Sequence, residues 1–106
     1  MLNIYRIAIQ LYRDCAPLIR AIAVHDRNLA DQLRRAVTSI ALNIAESDGQ
    51  SGGHRRQRRL TALGSAREVH ACLEIGEALG YHGALPPEMT GRLNRVLGTL
   101  VNLTQT

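Results

Sequence analysis

The stretch LADQLRRAVTSIALNIAE, residues 29–46, decides the fold. Its apolar residues Leu29, Leu33, Val37, Ile40 and Ile44 recur at steps of three and four. At 100° per residue such steps fall on one face of a helix. Beside that stripe, Gln32, Arg35, Ser39, Asn43 and Glu46 lie within an arc of about 80°. One helix thus carries an apolar stripe and a polar seam side by side. The seam must be exposed, paired with a neighbouring helix or paired with another chain, because unpaired burial of polar groups is costly. A hydrogen-bonded network that fixes bundle register or subunit contacts is the favoured reading, ahead of direct ligand contact.

Three more blocks repeat the pattern on either side. The first carries Ile4, Ile7, Leu11, Cys15, Leu18 and Ile22. The third carries Ala62, Ala66, Val69, Leu73 and Gly76, widened by Leu63 and Leu79, and the fourth Met89, Leu93, Val96, Leu100 and Leu103. The breaks fall at VHDRN (24–28), SDGQSGG (47–53) and GYHGALPPE (80–88). Gly80 suits a helix C-terminus, and Pro86-Pro87-Glu88 suits the start of the next helix. Pro17 should kink the first helix, since it removes a backbone donor. No alternating strand pattern competes. Short connections between long helices predict an all-α, up-down-up-down antiparallel four-helix bundle, a single domain over residues 1–106.

The totals agree with a small globular chain: 106 residues, 45% hydrophobic and 21% charged. Arg6, Arg13 and Asp14 interrupt the N-terminal apolar run, which excludes a signal peptide or membrane span and places the expectation in the cytoplasm. Cys15 and Cys72 lie among apolar neighbours without metal-type spacing and read as buried, reduced thiols. All 13 basic residues are arginine, against nine acidic ones, for a formal net charge of +4. A basic surface favours anionic partners such as RNA or DNA, although GC-rich coding alone would also raise arginine.

Two segments carry a resemblance. QLRRAVTSIALNIAE (32–46) and ALGSAREVHACLEIGEALGY (62–81) resemble the 23S ribosomal RNA intervening-sequence family of four-helix-bundle proteins, in register over helices two and three. The most specific elements are Asn43-Ile44-Ala45-Glu46 and Leu63-Gly64-Ser65. The resemblance implies a homopentamer of four-helix bundles and carries no enzymatic residue; the seam residues Gln32, Arg35, Ser39, Asn43 and Glu46 are its motif positions here. More distantly, the chain is similar to the accessory protein of diversity-generating retroelements, a basic pentamer that works with a reverse transcriptase and RNA. Ser47 stands where the family usually has Gly, and Arg55 and Arg58 stand where it usually has aromatic or apolar residues.

HRRQRR (54–59) opens the third helix with Arg55, Arg56, Arg58 and Arg59. Helix N-termini favour acidic groups, so each arginine there costs about 0.3 to 1 kcal/mol at low salt. Glu46 and Asp48 stand across the loop and can neutralise two of the four, which leaves an excess of positive charge. Arg6, Arg13 and Arg20 repeat every seven residues opposite the apolar face of helix one, about 10 Å apart. Taken alone that is the ordinary solvated face; in a ring of chains it becomes a repeated basic stripe. Base stacking is poorly supported, because Tyr5, Tyr12 and Tyr81 read as packing residues. The four histidines are dispersed, no Glu-x-x-His pair occurs, and His70 with Glu74 reads as a surface contact, so neither a metal nor another cofactor is expected. Ser39 and Glu46 lie about 10 Å apart along the helix, too far for a nucleophile and its base. The sequence therefore reads as a non-enzymatic, oligomeric accessory protein that binds RNA or DNA through phosphate contacts. The alternative is a protein-interaction scaffold whose arginines meet an acidic partner protein.

Overall fold

A single residue separates the first two apolar blocks. The structure, a computed structural model, describes residues 3–105, with α1 at Asn3–His25 and α2 at Arg27–Asp48. Asp26 between them is extended, and its Oδ1 accepts the Leu29 amide at 3.0 Å. A side-chain oxygen at this position satisfies one of the amides that a first turn leaves unpaired, and so fixes where α2 begins. The break is shorter than residues 24–28 because the cap needs only one non-helical residue.

α3 spans Gly52–Ala78 and α4 spans Pro87–Thr104. The second break also contracts, to residues 49–51, and Gly52 enters α3 at φ +56, a conformation glycine reaches without a Cβ clash. At the far end of α3, Gly80 takes φ +75. Its amide donates to the Glu77 carbonyl at 3.0 Å, and that of Tyr81 to Gly76 at 2.8 Å, the paired bonds of a Schellman motif. Pro87 then occupies the first position of α4, where its missing amide costs nothing.

Pro17 does not end α1, which continues on both sides of it. The proline is exposed, so the Arg13 carbonyl that is left without its helical donor is on the solvent side of the helix.

α2 packs against α1 and α3, and α4 packs against α3 and α1, closing a four-helix arrangement around one core. Individual contacts run in the antiparallel sense. Ser39 meets Ser65 and Glu46 meets Arg58, so α3 numbers fall as α2 numbers rise. Arg56 near the start of α3 meets Thr104 at the end of α4. The Tyr12 and Thr38 hydroxyls, 3.4 Å apart, stand on either side of the first turn at Asp26, so α1 numbers fall as α2 numbers rise.

Leu11, Cys15, Ile22, Leu33, Val37, Ile40, Ile44, Val69, Val96 and Leu100 are almost fully buried, as the periodicity predicts. Ala8 is buried more deeply than Ile7, and Ile7, Leu18 and Leu103 are half-buried at the edge of the core. Leu79 departs from the expectation: it caps α3 rather than extending its stripe, and lies exposed. α3 ends one residue too early, and at 100° per residue Leu79 already points away from the centre of the stripe.

An ion pair that no sequence pattern announces ties α1 to α4. Arg92 Nε and Nη2 reach the two carboxylate oxygens of Asp14 at 2.6 and 2.8 Å. This fork-to-fork geometry is the strongest form of the interaction and holds the Arg92 proton even more tightly than usual.

Candidate nucleic-acid interface

The arginine cluster sits at one end of the bundle, where α3 begins and α2 and α4 finish. Arg55 Nε donates to the Gln50 carbonyl at 2.9 Å, just past the C-terminus of α2. Arg56 Nη2 donates to the Thr104 carbonyl at 2.9 Å, on the last residue of α4. The Thr104 carbonyl belongs to a helix end that carries partial negative charge, whereas Gln50 lies in the loop two residues beyond α2. Arg56, which opposes the dipole of α3, thereby meets the favourable end of α4.

Arg58 behaves differently. Its Nη1 lies 2.9 Å from Glu46 Oε2 and 3.4 Å from Asn43 Oδ1. Arg59 is half-buried, and its Nε is enclosed with no hydrogen-bond partner among the described residues. Asp48 makes no ion pair with any of the four, and its Oδ2 is likewise enclosed and unpartnered. Neutralisation across the loop thus involves Glu46 and one arginine. Among the described residues, Arg55, Arg56 and Arg59 have no carboxylate partner.

The polar seam of α2 divides in two. Asn43 Nδ2 donates to the Ser39 carbonyl at 2.9 Å and to Ser39 Oγ at 3.0 Å. Ser65 Oγ of α3 donates to the same Ser39 Oγ at 2.7 Å. With Glu46 held by Arg58, three of the five seam residues form one chain of contacts between α2 and α3. Gln32 and Arg35 stay exposed, and among the described residues Arg35 reaches only Asp31, at 3.8 Å. Arg34 binds that same carboxylate at 2.9 Å and lowers its pKa.

Neither Ser65 nor Arg58 is assigned to the seam by sequence reasoning. Ser65 stands within the Leu63-Gly64-Ser65 segment, so its position is visible there, but its pairing needs the register of α2 against α3. Ser47 is fully buried and donates its hydroxyl to the Ile44 carbonyl at 2.7 Å.

Arg6, Arg13 and Arg20 are exposed along the outer surface of α1 and make no hydrogen bond or ion pair among the described residues. Arg6 lies towards the end of the bundle that carries the α3 cluster; Arg13 and Arg20 lie progressively further away.

Tyr81 stacks on His25, with centroids 4.8 Å apart and planes 5° from parallel, and so clasps the two turns at the opposite end. His70 and Glu74 form an exposed contact of 3.5 Å within α3. Cys15 and Cys72 are buried free thiols, and burial, with Asp14 adding, pushes Cys15 up to about 12. No group of three metal-ligating side chains converges among the described residues, and no helix is long and apolar enough to cross a membrane.

No curated protein and no solved structure matches the chain. A family profile does, over residues 1–95, and that span takes in α1, α2 and α3 whole and the first half of α4. The matched segment contains the Ser39–Ser65 and Glu46–Arg58 contacts that join the two motif helices. On that match the chain belongs to the family described as 23S rRNA-intervening sequence protein.

Proposed function

We propose that the protein is a non-enzymatic accessory protein that assembles as a homopentamer and binds RNA or DNA through its backbone phosphates. One observation carries this reading. Arg55 and Arg56 are anchored by neutral carbonyls, and Arg59 by burial, so their positions are held while their charge is not cancelled. A guanidinium has five N–H donors, and one carbonyl leaves the others free for phosphate oxygens. A group already held in place gives up less freedom on binding. Arg6 lies at the same end of the bundle and enlarges the surface.

The family's description, which names an intervening sequence of 23S rRNA, supports a nucleic-acid partner. Five copies of a chain of formal charge +4 would bring about +20 to one assembly, enough to steer a polyanion. Contacts of this kind position a protein on a backbone without reading bases. The scaffold reading, an acidic protein in place of the nucleic acid, needs the same arginines and differs in its outcome.

Fluorescence anisotropy with a structured RNA hairpin, a DNA duplex of equal length and an acidic polypeptide separates the readings. Wild-type protein should bind both nucleic acids with similar affinity, and the Arg55→Gln, Arg56→Gln, Arg59→Gln triple variant should bind each about tenfold or more weakly. Binding of the polypeptide alone would favour the scaffold.

A further inference from the structure

The outer surfaces of α1 and α3 are opposite in character. Along α1 run Arg6, Arg13 and Arg20, and the acidic residue of this helix, Asp14, is occupied by Arg92. Val24, near its end, is 80% exposed. α3 is divided by charge: its first turns hold four arginines, whereas its last turns hold Glu68, Glu74 and Glu77 against one arginine, Arg67. Within that acidic half, Ile75 is 48% exposed and Leu79 57% exposed. At helical spacing the exposed small residues Ala71 and Ala78 flank Ile75, four before and three after. The result is an apolar patch with a low profile and an acidic rim, matched on α1 by a basic stripe that ends in an apolar side chain.

The two surfaces are also in register. Tyr12 of α1 meets Thr38 of α2, and Ser39 of α2 meets Ser65 of α3. Each position on α1 is therefore level, to within about a turn, with a position on α3 about 54 higher in number. Arg13 is level with the Arg67–Glu68 turn, Arg20 with Glu74, and Val24 with Ala78, between Ile75 and Leu79. Neither helix contacts the other's outer face within the chain, since each packs between α2 and α4.

We infer that the basic outer face of α1 in one copy docks on the acidic, apolar outer face of the C-terminal half of α3 in the next. Arg13 then faces Glu68, Arg20 faces Glu74, and Val24 covers Ile75 and Leu79. The occupant of each face is a second copy of this chain, because charge, apolar patch and height all match at once. Such a contact is heterologous: the two mating patches are different, and repetition about an axis parallel to the bundle keeps every copy at the same height and closes a ring. The inference rests on the oligomeric part of the proposed function and names the surfaces that would build it. It assigns Arg13 and Arg20 to the joint between copies and leaves the arginines at the bundle end free.

Light scattering on the full chain tests it, with circular dichroism to establish that each variant is helical. Wild-type protein should have a mass several times the 11.7 kDa of one chain. Arg13→Glu with Arg20→Glu should reduce it to about one chain, as should Glu68→Arg with Glu74→Arg, and combining all four exchanges should restore the assembly. Ile75→Asp should also dissociate it. A wild-type monomer would overturn the oligomeric reading and this inference together. A wild-type oligomer whose size survives every one of these exchanges would overturn the docking faces alone.

Discussion

Arg56 of α3 and Thr104 of α4 are joined by a 2.9 Å hydrogen bond from guanidinium to backbone carbonyl. The bond accounts for an oddity of the sequence. Arginine is unfavourable at the start of α3, but the start of α3 is also where α4 stops, and a cation at a helix C-terminus is favourable. Arg55 instead holds the loop before α3, through the Gln50 carbonyl. The cluster therefore contributes to the fold and presents charge together. Arg56→Gln should lower stability by about 0.5 to 1 kcal/mol, a modest value because Arg56 is exposed. Urea unfolding measures the decrease, and amide exchange in the last turn of α4 should accelerate selectively.

The seam between α2 and α3 leads to a second expectation. Asn43→Leu removes the bonds to Ser39 and to Arg58, and should cost about 1 kcal/mol in thermal unfolding. Glu46→Leu leaves Arg58 without its carboxylate, an effect kept small by the exposure of both groups. Unchanged melting and unchanged subunit number in both variants, with weaker RNA binding, would move the seam from structure to ligand contact.

At the opposite end, Gly76 and His82 leave no room for a methyl group. A Cβ on Gly76 would stand 2.8 Å from the His82 ring and 3.2 Å from Ile22 Cδ1. The ring is held in place, with Nε2 3.0 Å from the Leu73 carbonyl and Nδ1 2.8 Å from that of Gly83. Gly76→Ala should therefore destabilise by about 1 to 2 kcal/mol, overriding the usual gain of replacing a helical glycine. A more stable variant in urea would show that the histidine moves aside freely.

Cys15 gives the fold a pH dependence on the alkaline side. Its folded pKa is about 12, above the ordinary 9.0, so between these values the unfolded chain has released a proton that the folded chain keeps. The contribution is fully present below about pH 9 and disappears as pH rises towards 12. Urea unfolding at pH 8 and pH 10 should show a smaller decline for Cys15→Ala than for wild type, by up to about 1.4 kcal/mol. An equal decline in both would mean that the thiol ionises as readily in the folded chain.

The helices are legible in the sequence because their stripes are regular: Leu33, Val37, Ile40 and Ile44 can face only one way. Gly80 and Pro87 mark the α3–α4 turn because their backbone demands are local. Connection lengths are less legible, since helix ends depend on caps such as Asp26, whose bond to Leu29 also suits a longer loop. The candidate site is legible only as composition. HRRQRR announces four arginines but not that Arg55 and Arg56 meet carbonyls, that Arg58 meets a carboxylate and that Arg59 is half-buried with its Nε unpartnered. Those assignments depend on which helix ends lie beside the start of α3. The Asp14–Arg92 pair, 78 residues apart, has no local signal at all.

The measurement that bears most directly on a phosphate-binding bundle end is the salt dependence of RNA affinity. Arg55, Arg56, Arg58 and Arg59 are replaced together by Gln, and the slope of log affinity against log salt is compared with that of wild type. For each phosphate that a chain no longer neutralises, the slope should become shallower by about 0.7 to 0.9, with helical content retained. An unchanged slope alongside a lowered melting temperature would contradict the account, and would leave these arginines with a structural role alone.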